Sequence, residues 1–82
     1  MTREQVYQKI VEMIQEEKGE DFLVHPDSSL MDNIAQDSVE VMEFVLTLED
    51  EFGVDISDAA IERFETLSDI VDFIYEEVQK RS

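Results

Sequence analysis

Ala35-Gln36-Asp37-Ser38-Val39-Glu40 leads directly into Val41-Met42-Glu43-Phe44-Val45-Leu46-Thr47-Leu48-Glu49-Asp50-Glu51-Phe52, and this stretch decides the fold. A polar, irregular segment gives way at Asp37 to helical periodicity. Asp37 has the side chain of an N-cap, and Glu40 stands three residues on, where a capping box places its reciprocal partner. Ser38 then falls in the first turn, with its hydroxyl at a helix start rather than in a core. At about 100° per residue, Phe44, Val45, Leu48 and Phe52 lie within about 60° of Val41, which makes a core stripe. Val39, Met42 and Leu46 make a second apolar ridge, centred about 130° from Val41. Glu43 and Asp50 border that ridge on one side and Glu49 on the other. Two placements fit: the ridge is a surface for a partner's groove, or Met42 and Leu46 belong to a core that covers a wide arc of the helix.

Working outward, Thr2 followed by Gln5 is a second capping-box start, and Val6, Ile10, Met13 and Ile14 repeat at helical spacing. Lys18 suits the negative end of that helix and Gly19 its termination, which predicts a first helix from about Thr2 to Lys18. Gly19 to Asp37 reads as a long connection with turn residues at Pro26, Asp27, Ser28 and Ser29. Phe22, Leu23, Val24, Leu30 and Ile34 are its expected apolar anchors, strapping an ordered loop across a helical core. After Gly53, Ser57 and Asp58 start a short third helix containing Ala60, Ile61 and Phe64. Thr66 with Asp69 caps a last helix through Leu67, Ile70, Val71, Phe73, Ile74 and Val78 to Lys80 and Arg81. The expectation is an all-α chain: a small four-helix bundle, three main helices and a short third one, with a long loop between the first two.

The 82 residues suit a single small domain, 1–82, near the lower end of what builds its own core. Cysteine is absent, so the chain offers neither disulfide nor thiolate chemistry. No apolar run approaches a membrane span and no secretory hydrophobic region opens the sequence, which leads to the expectation of a soluble, cytoplasmic monomer. Six Lys and Arg stand against 22 Asp and Glu, for a net charge of −16. Between Gly19 and Glu62 there is no Lys or Arg, while thirteen carboxylates fall there. A field of one sign repels nucleic acid and anionic membrane and attracts basic protein surfaces. Twelve-residue windows from Asp50 or Asp55 lack the alternating oxygen ligands, central Gly and final Glu of an EF-hand. His25 is the only imidazole and no Gly-rich elbow surrounds Ser38, so neither a nucleophilic triad nor a metal set is indicated.

Asp37-Ser38, the run from Val41 to Phe52, and the following Gly53-Val54-Asp55-Ile56 resemble the acyl carrier protein family, over most of the chain from about Val6 to Val78. The acidic run Leu48-Glu49-Asp50-Glu51-Phe52 looks most like the discrete carriers of bacterial fatty acid synthesis. The resemblance implies a phosphopantetheine arm, moved from coenzyme A onto Ser38 beside Asp37 by a phosphopantetheinyl transferase. Acyl groups would then travel as thioesters on that arm, with no catalysis by the carrier itself. It implies a partner face of Val39, Glu40, Met42, Glu43, Leu46, Glu49 and Asp50 for the transferase and for fatty-acid-synthesis enzymes with basic patches. It also implies an acyl-chain cavity at Val45, Leu48, Ile56, Ile61, Phe64, Leu67 and Ile70, all of which serve equally well as plain core. Two residues depart from the family pattern: Val39 stands where Leu is usual and Ala35 where many members have Gly. A carrier for polyketide, aminoacyl or D-alanyl transfer, and an acidic interaction protein without any prosthetic group, are the competing readings.

The charge pattern carries its own test. Thirteen carboxylates repelling one another across a small domain are relieved by screening, over about 10 Å at 0.1 M salt. The melting temperature should therefore rise from low to moderate ionic strength, and more steeply with divalent cations. A flat or falling thermal-melt series would contradict this.

Overall fold

The structure is a computed structural model and describes residues 1–30, 34 and 37–81. Ala35, one of the two departures above, and Asp32, one of the thirteen carboxylates, lie outside the described residues.

Four α-helices follow one another: α1 (Arg3–Lys18), α2 (Ser38–Phe52), α3 (Asp58–Arg63) and α4 (Leu67–Arg81). Their starts are set by side chains that accept otherwise unpaired backbone N–H groups. Thr2 Oγ1 accepts from Gln5 N at 3.1 Å, and Gln5 Oε1 accepts from Thr2 N at 2.8 Å, which completes the expected capping box. Asp37 Oδ1 accepts from Glu40 N at 2.9 Å, and Ser57 Oγ from Ala60 N at 3.2 Å. Thr66 and Asp69 cap α4 reciprocally, with Thr66 N donating to Asp69 Oδ2 at 3.2 Å. The end of α2 is equally local. Gly53 takes φ 65°, a left-handed conformation that glycine adopts without a Cβ penalty, and donates its N–H to Glu49 O.

One apolar core joins the four helices. It takes Val6, Ile10 and Ile14 from α1, Val41, Phe44, Val45 and Leu48 from α2, and Leu67, Ile70, Val71 and Ile74 from α4. Phe52, expected on the same α2 stripe, is half-buried, with the Lys9 ammonium 6.0 Å from its ring centroid. The helix α3 contributes no fully buried residue; Ala60 and Ile61 pack only partly against the core. Phe64, expected inside this helix, instead follows it in extended conformation (φ −74°, ψ 113°). That turn in the chain drives its ring inward, where it meets Phe73 edge-on at 5.7 Å.

The connection from α1 to α2 is ordered where it crosses the far end of the bundle. Leu30 N donates to Glu65 O at 2.9 Å, Leu67 N to Ser28 O at 3.0 Å and Ser68 N to Pro26 O at 2.7 Å. Ser29 and Thr66 form an isolated antiparallel bridge, and no strand occurs among the described residues. Ser28, buried among these bonds, accepts from His25 N with its hydroxyl. Leu30 and Ile34 are buried anchors as expected, and Phe22 and Val24 are half-buried. Leu23 is not an anchor: it is 78% exposed. Successive side chains of an extended segment point to opposite sides, so with Phe22 and Val24 packed inward Leu23 faces out.

The core assignments separate cleanly in a stability measurement. Ile10→Ala, at a fully buried site, should cost about 2–5 kcal/mol in denaturant unfolding. Leu23→Ala should move stability by less than about 0.5 kcal/mol. A large loss at Leu23 would show that it is held against the core.

Candidate functional site

The head of α2 is built around a hydroxyl in water. Asp37, in extended conformation, ends the connection and caps the helix, and its carbonyl receives Val41 N at 3.1 Å. Ser38 is therefore the first helical residue and is exposed. A helix start suits a phosphodiester, because the free N–H groups and the positive end of the dipole favour an anion. Part of that advantage is already spent on Asp37, which holds the Glu40 amide. A phosphate on Ser38 would thus sit at an acceptable place and would be held by its covalent bond. The other described serines differ in environment. Ser28 is buried, Ser29 is half-buried in the bridge to Thr66, Ser57 is occupied as the cap of α3, and the Ser68 hydroxyl accepts from Arg3 Nη2 at 3.2 Å.

From Ser38 the ridge runs along the open face of α2. Val39 is 64% exposed, Met42 44% and Leu46 56%, while Val41, Phe44, Val45 and Leu48 are buried. The helix rotation thus leaves three apolar side chains in water, in line behind the serine. Glu43 and Asp50 are exposed beside them, as the wheel places them. Glu40, half-buried, turns towards α1, with its Oε1 3.9 Å from Lys18 Nζ. These two residues close a cleft of about 70 Å³ whose floor is Ile14, Ile34 and Phe44. Such a volume accommodates a water or two and no prosthetic arm.

The three consecutive acids at the end of α2 have different surroundings. No base lies in that last turn, so the helix dipole opposes all three. Glu51 pairs with Lys9 of α1 at 3.0 Å. The half-buried Glu49 accepts the Ile56 N–H on its Oε2 at 2.9 Å, across the turn at Gly53. Asp50 is exposed. The tie from Glu49 to Ile56 is not legible in the sequence, since a carboxylate seven residues before an amide is no recognised motif. The ties of Lys9 and Lys18 to α2 depend likewise on how α1 packs.

The seven candidate cavity residues come together behind this face. Val45, Leu48, Ile56, Phe64, Leu67 and Ile70 are buried in the common core and Ile61 packs partly against it. Alongside, a cleft of about 250 Å³ opens between α3 and α4, with Ala60, Phe64 and Phe73 as its apolar wall and Arg63 at its rim. His25 is exposed, and no group of three metal-ligating side chains occurs among the described residues. None of the helices is long and apolar enough to cross a membrane, among the described residues.

Comparison with known proteins agrees with this geometry. The model of the phosphopantetheine attachment site family matches residues 8–74. The chain is 39% identical over 79 residues to the acyl carrier protein of Exiguobacterium sibiricum, covering 95% of this chain and 100% of that one. It is 35% identical over 74 residues to the acyl carrier protein of Thermotoga maritima, covering 89% and 91%. The crystal structure of a Thermotoga maritima acyl carrier protein superposes with a TM-score of 0.81 at 26% identity, covering 98% of this chain and 94% of that one. Hexanoyl acyl carrier protein from the actinorhodin polyketide synthase of Streptomyces coelicolor superposes at 0.67 with 27% identity, covering 100% and 95%. With a helical bundle, a helix-start serine and these relatives in hand, the chain belongs to the acyl carrier protein family, whose members are carriers rather than catalysts and whose cofactor is phosphopantetheine.

Proposed function

We propose that this chain carries acyl groups as thioesters on a phosphopantetheine arm attached to Ser38, and delivers them to enzymes of fatty acid biosynthesis in the cytoplasm. The observation that supports it most directly is the exposed Ser38 hydroxyl, as first residue of α2 and head of an exposed apolar ridge. When attached, the group supplies a thiol on a long flexible arm, and the chemistry done there belongs to partner enzymes. The residues of this chain present and orient. Asp37 fixes the helix start and hence the direction in which the Ser38 hydroxyl leaves the backbone. Val39, Met42 and Leu46 supply contact area, and Glu40, Glu43, Glu49 and Asp50 steer a basic enzyme surface into register. Val39 in place of the usual Leu shortens and stiffens one contact, which bears on the choice of transferase and leaves the serine assignment intact. The buried residues from Val45 to Ile70 offer acyl cargo an apolar interior behind the same helix. We read residues 1–82 as one such carrier domain, working as a monomer.

A second reading assigns the carrier to a specialised thioester pathway, and the likeness to a polyketide synthase carrier supports it. The discrete carriers at 35% and 39% identity favour fatty acid synthesis. The mass of the acyl group on the arm in cells separates the two.

Attachment is tested by intact mass spectrometry after co-expression with an active transferase, with fragmentation to locate the addition. The parent should gain one phosphopantetheine on Ser38. Ser38→Ala should gain none while keeping its fold, and an arm found on any other serine would overturn the assignment.

Docking is tested by binding kinetics with the transferase. Rim charges act mainly on association and apolar anchors mainly on dissociation. Glu43→Lys should slow association, with a loss that shrinks at high salt. Met42→Ala should weaken binding by about 1–2 kcal/mol at every salt concentration. Both variants should melt close to the parent, and a Met42→Ala protein that unfolds yet binds normally per folded molecule would place Met42 in the core.

A further inference from the structure

The short helix α3 is held by its ends. Its own residues give the core little, since none is fully buried and six residues are far below the length at which a helix persists alone. Behind it the chain is fastened firmly. Phe64 is buried, Glu65 O receives Leu30 N at 2.9 Å, and Ser29 and Thr66 bridge across to the long connection. In front of it, the segment from Gly53 to Ser57 carries Val54 and Ile56 into the core. Beyond the Gly53 N–H on Glu49 O that ends the helix, the polar tie of that segment to α2 is the carboxylate of Glu49, which receives the Ile56 N–H at 2.9 Å. A hydrogen bond to an ionised acceptor is among the stronger ones a small fold can make. The carboxylate also stands in the last turn of α2, where the helix dipole disfavours it. The Ile56 N–H is the favourable partner it finds there.

We propose that Glu49 is a positioning residue that latches the front of α3: its carboxylate, by holding the Ile56 N–H, keeps α3 closed over the apolar interior, and release of that bond lets α3 swing about its anchored Glu65 end to admit or surrender acyl cargo. The latch is a property of the unmodified chain, whereas its use as a gate rests on the carrier function proposed above. Glu49 thereby has a role inside the fold, apart from the rim contacts of Glu43 and Asp50. The element it controls is the one with least core contact, which is where local opening begins. Ile56 and Phe64 flank the two ends of α3 and both are buried among the candidate cavity residues. Movement of the front end alone would draw Ile56 out of the common core while leaving the rear closure intact.

Amide hydrogen exchange by NMR on the unmodified chain reads the latch directly. In Glu49→Ala the amides of Ile56 and α3 should lose protection by about ten- to a hundredfold, while those of Ile70, Val71 and Ile74 in α4 keep the parent's rates. Glu49→Gln, which retains an acceptor oxygen, should recover most of the protection at Ile56. Unchanged exchange at Ile56 in Glu49→Ala, a uniform loss that includes α4, or a Gln variant no better than Ala would each overturn the latch. The gate is read separately, on chain loaded with an octanoyl thioester. Hydrolysis of the thioester should be severalfold faster in Glu49→Ala than in the parent, and equal lifetimes would overturn the gating role. A parent that accepts no arm from the transferase would refute the carrier function, and the exchange result would stand independently of it.

Discussion

Burial of a single stripe on α2, formed by Val41, Phe44, Val45 and Leu48, determines the rotation of that helix, and the surface it leaves in water depends on it. Once those four face inward, a period of 3.6 residues leaves Val39, Met42 and Leu46 no option but water. An apolar ridge in water is unfavourable for an isolated molecule, since each such half-exposed side chain forgoes part of the about 1.5–3 kcal/mol that full burial brings. It persists because the core stripe is worth more than the ridge costs. The Asp37 cap fixes where the helix begins, so the serine emerges at the end of the ridge. Position along the helix and rotation about it are set by two separate pieces of chemistry, an Asx cap and an apolar stripe.

Charge acts on the same helix from another direction. With a net charge of −16, the few bases are scarce resources, and three of them sit on α1. Each of these three links α1 to another helix: Arg3 to Asp72 of α4, Lys9 to Glu51 and Lys18 to Glu40 of α2. All three pairs are substantially exposed, so each contributes about 0–1 kcal/mol and none holds the fold by itself. Their larger effect is on the pattern that remains. The pairs offset charge along the α1-facing edge of α2, while Glu43 and Asp50 stay exposed beside the apolar ridge, where a basic surface would meet them.

The bundle closes through backbone bonds between two connections rather than through helix packing alone. The segment around Ser28 and the turn at Glu65–Leu67 exchange hydrogen bonds that bind the long first loop to the start of α4. This arrangement allows α3 to be short and lightly packed without opening the rear of the molecule. At the front of α3 the hold comes instead from a side chain of α2 and from the buried Val54 and Ile56.

Much of the molecule is legible in its sequence. The four helices, their Asx and Ser/Thr caps, the αL glycine after α2, the core stripe and the exposed ridge are consequences of side-chain chemistry acting over short stretches of chain. Ser38 is legible for the same reason, because a cap motif marks a helix start in the sequence alone. What lies beyond reach depends on distance along the chain. The alternation that turns Leu23 outward requires knowing that residues 22–24 run extended, and the exit of Phe64 from α3 requires its ring to find Phe73. The hold of Glu49 on Ile56, the ties of Lys9 and Lys18 to α2, and the bridge from Ser29 to Thr66 join residues from seven to 42 positions apart, the widest being Lys9 to Glu51. Sequence by itself determines contacts whose partners are brought together by one turn of helix. Only the tertiary structure decides those whose partners meet because separate elements pack, since there the geometry is set by every buried residue together and by no local motif.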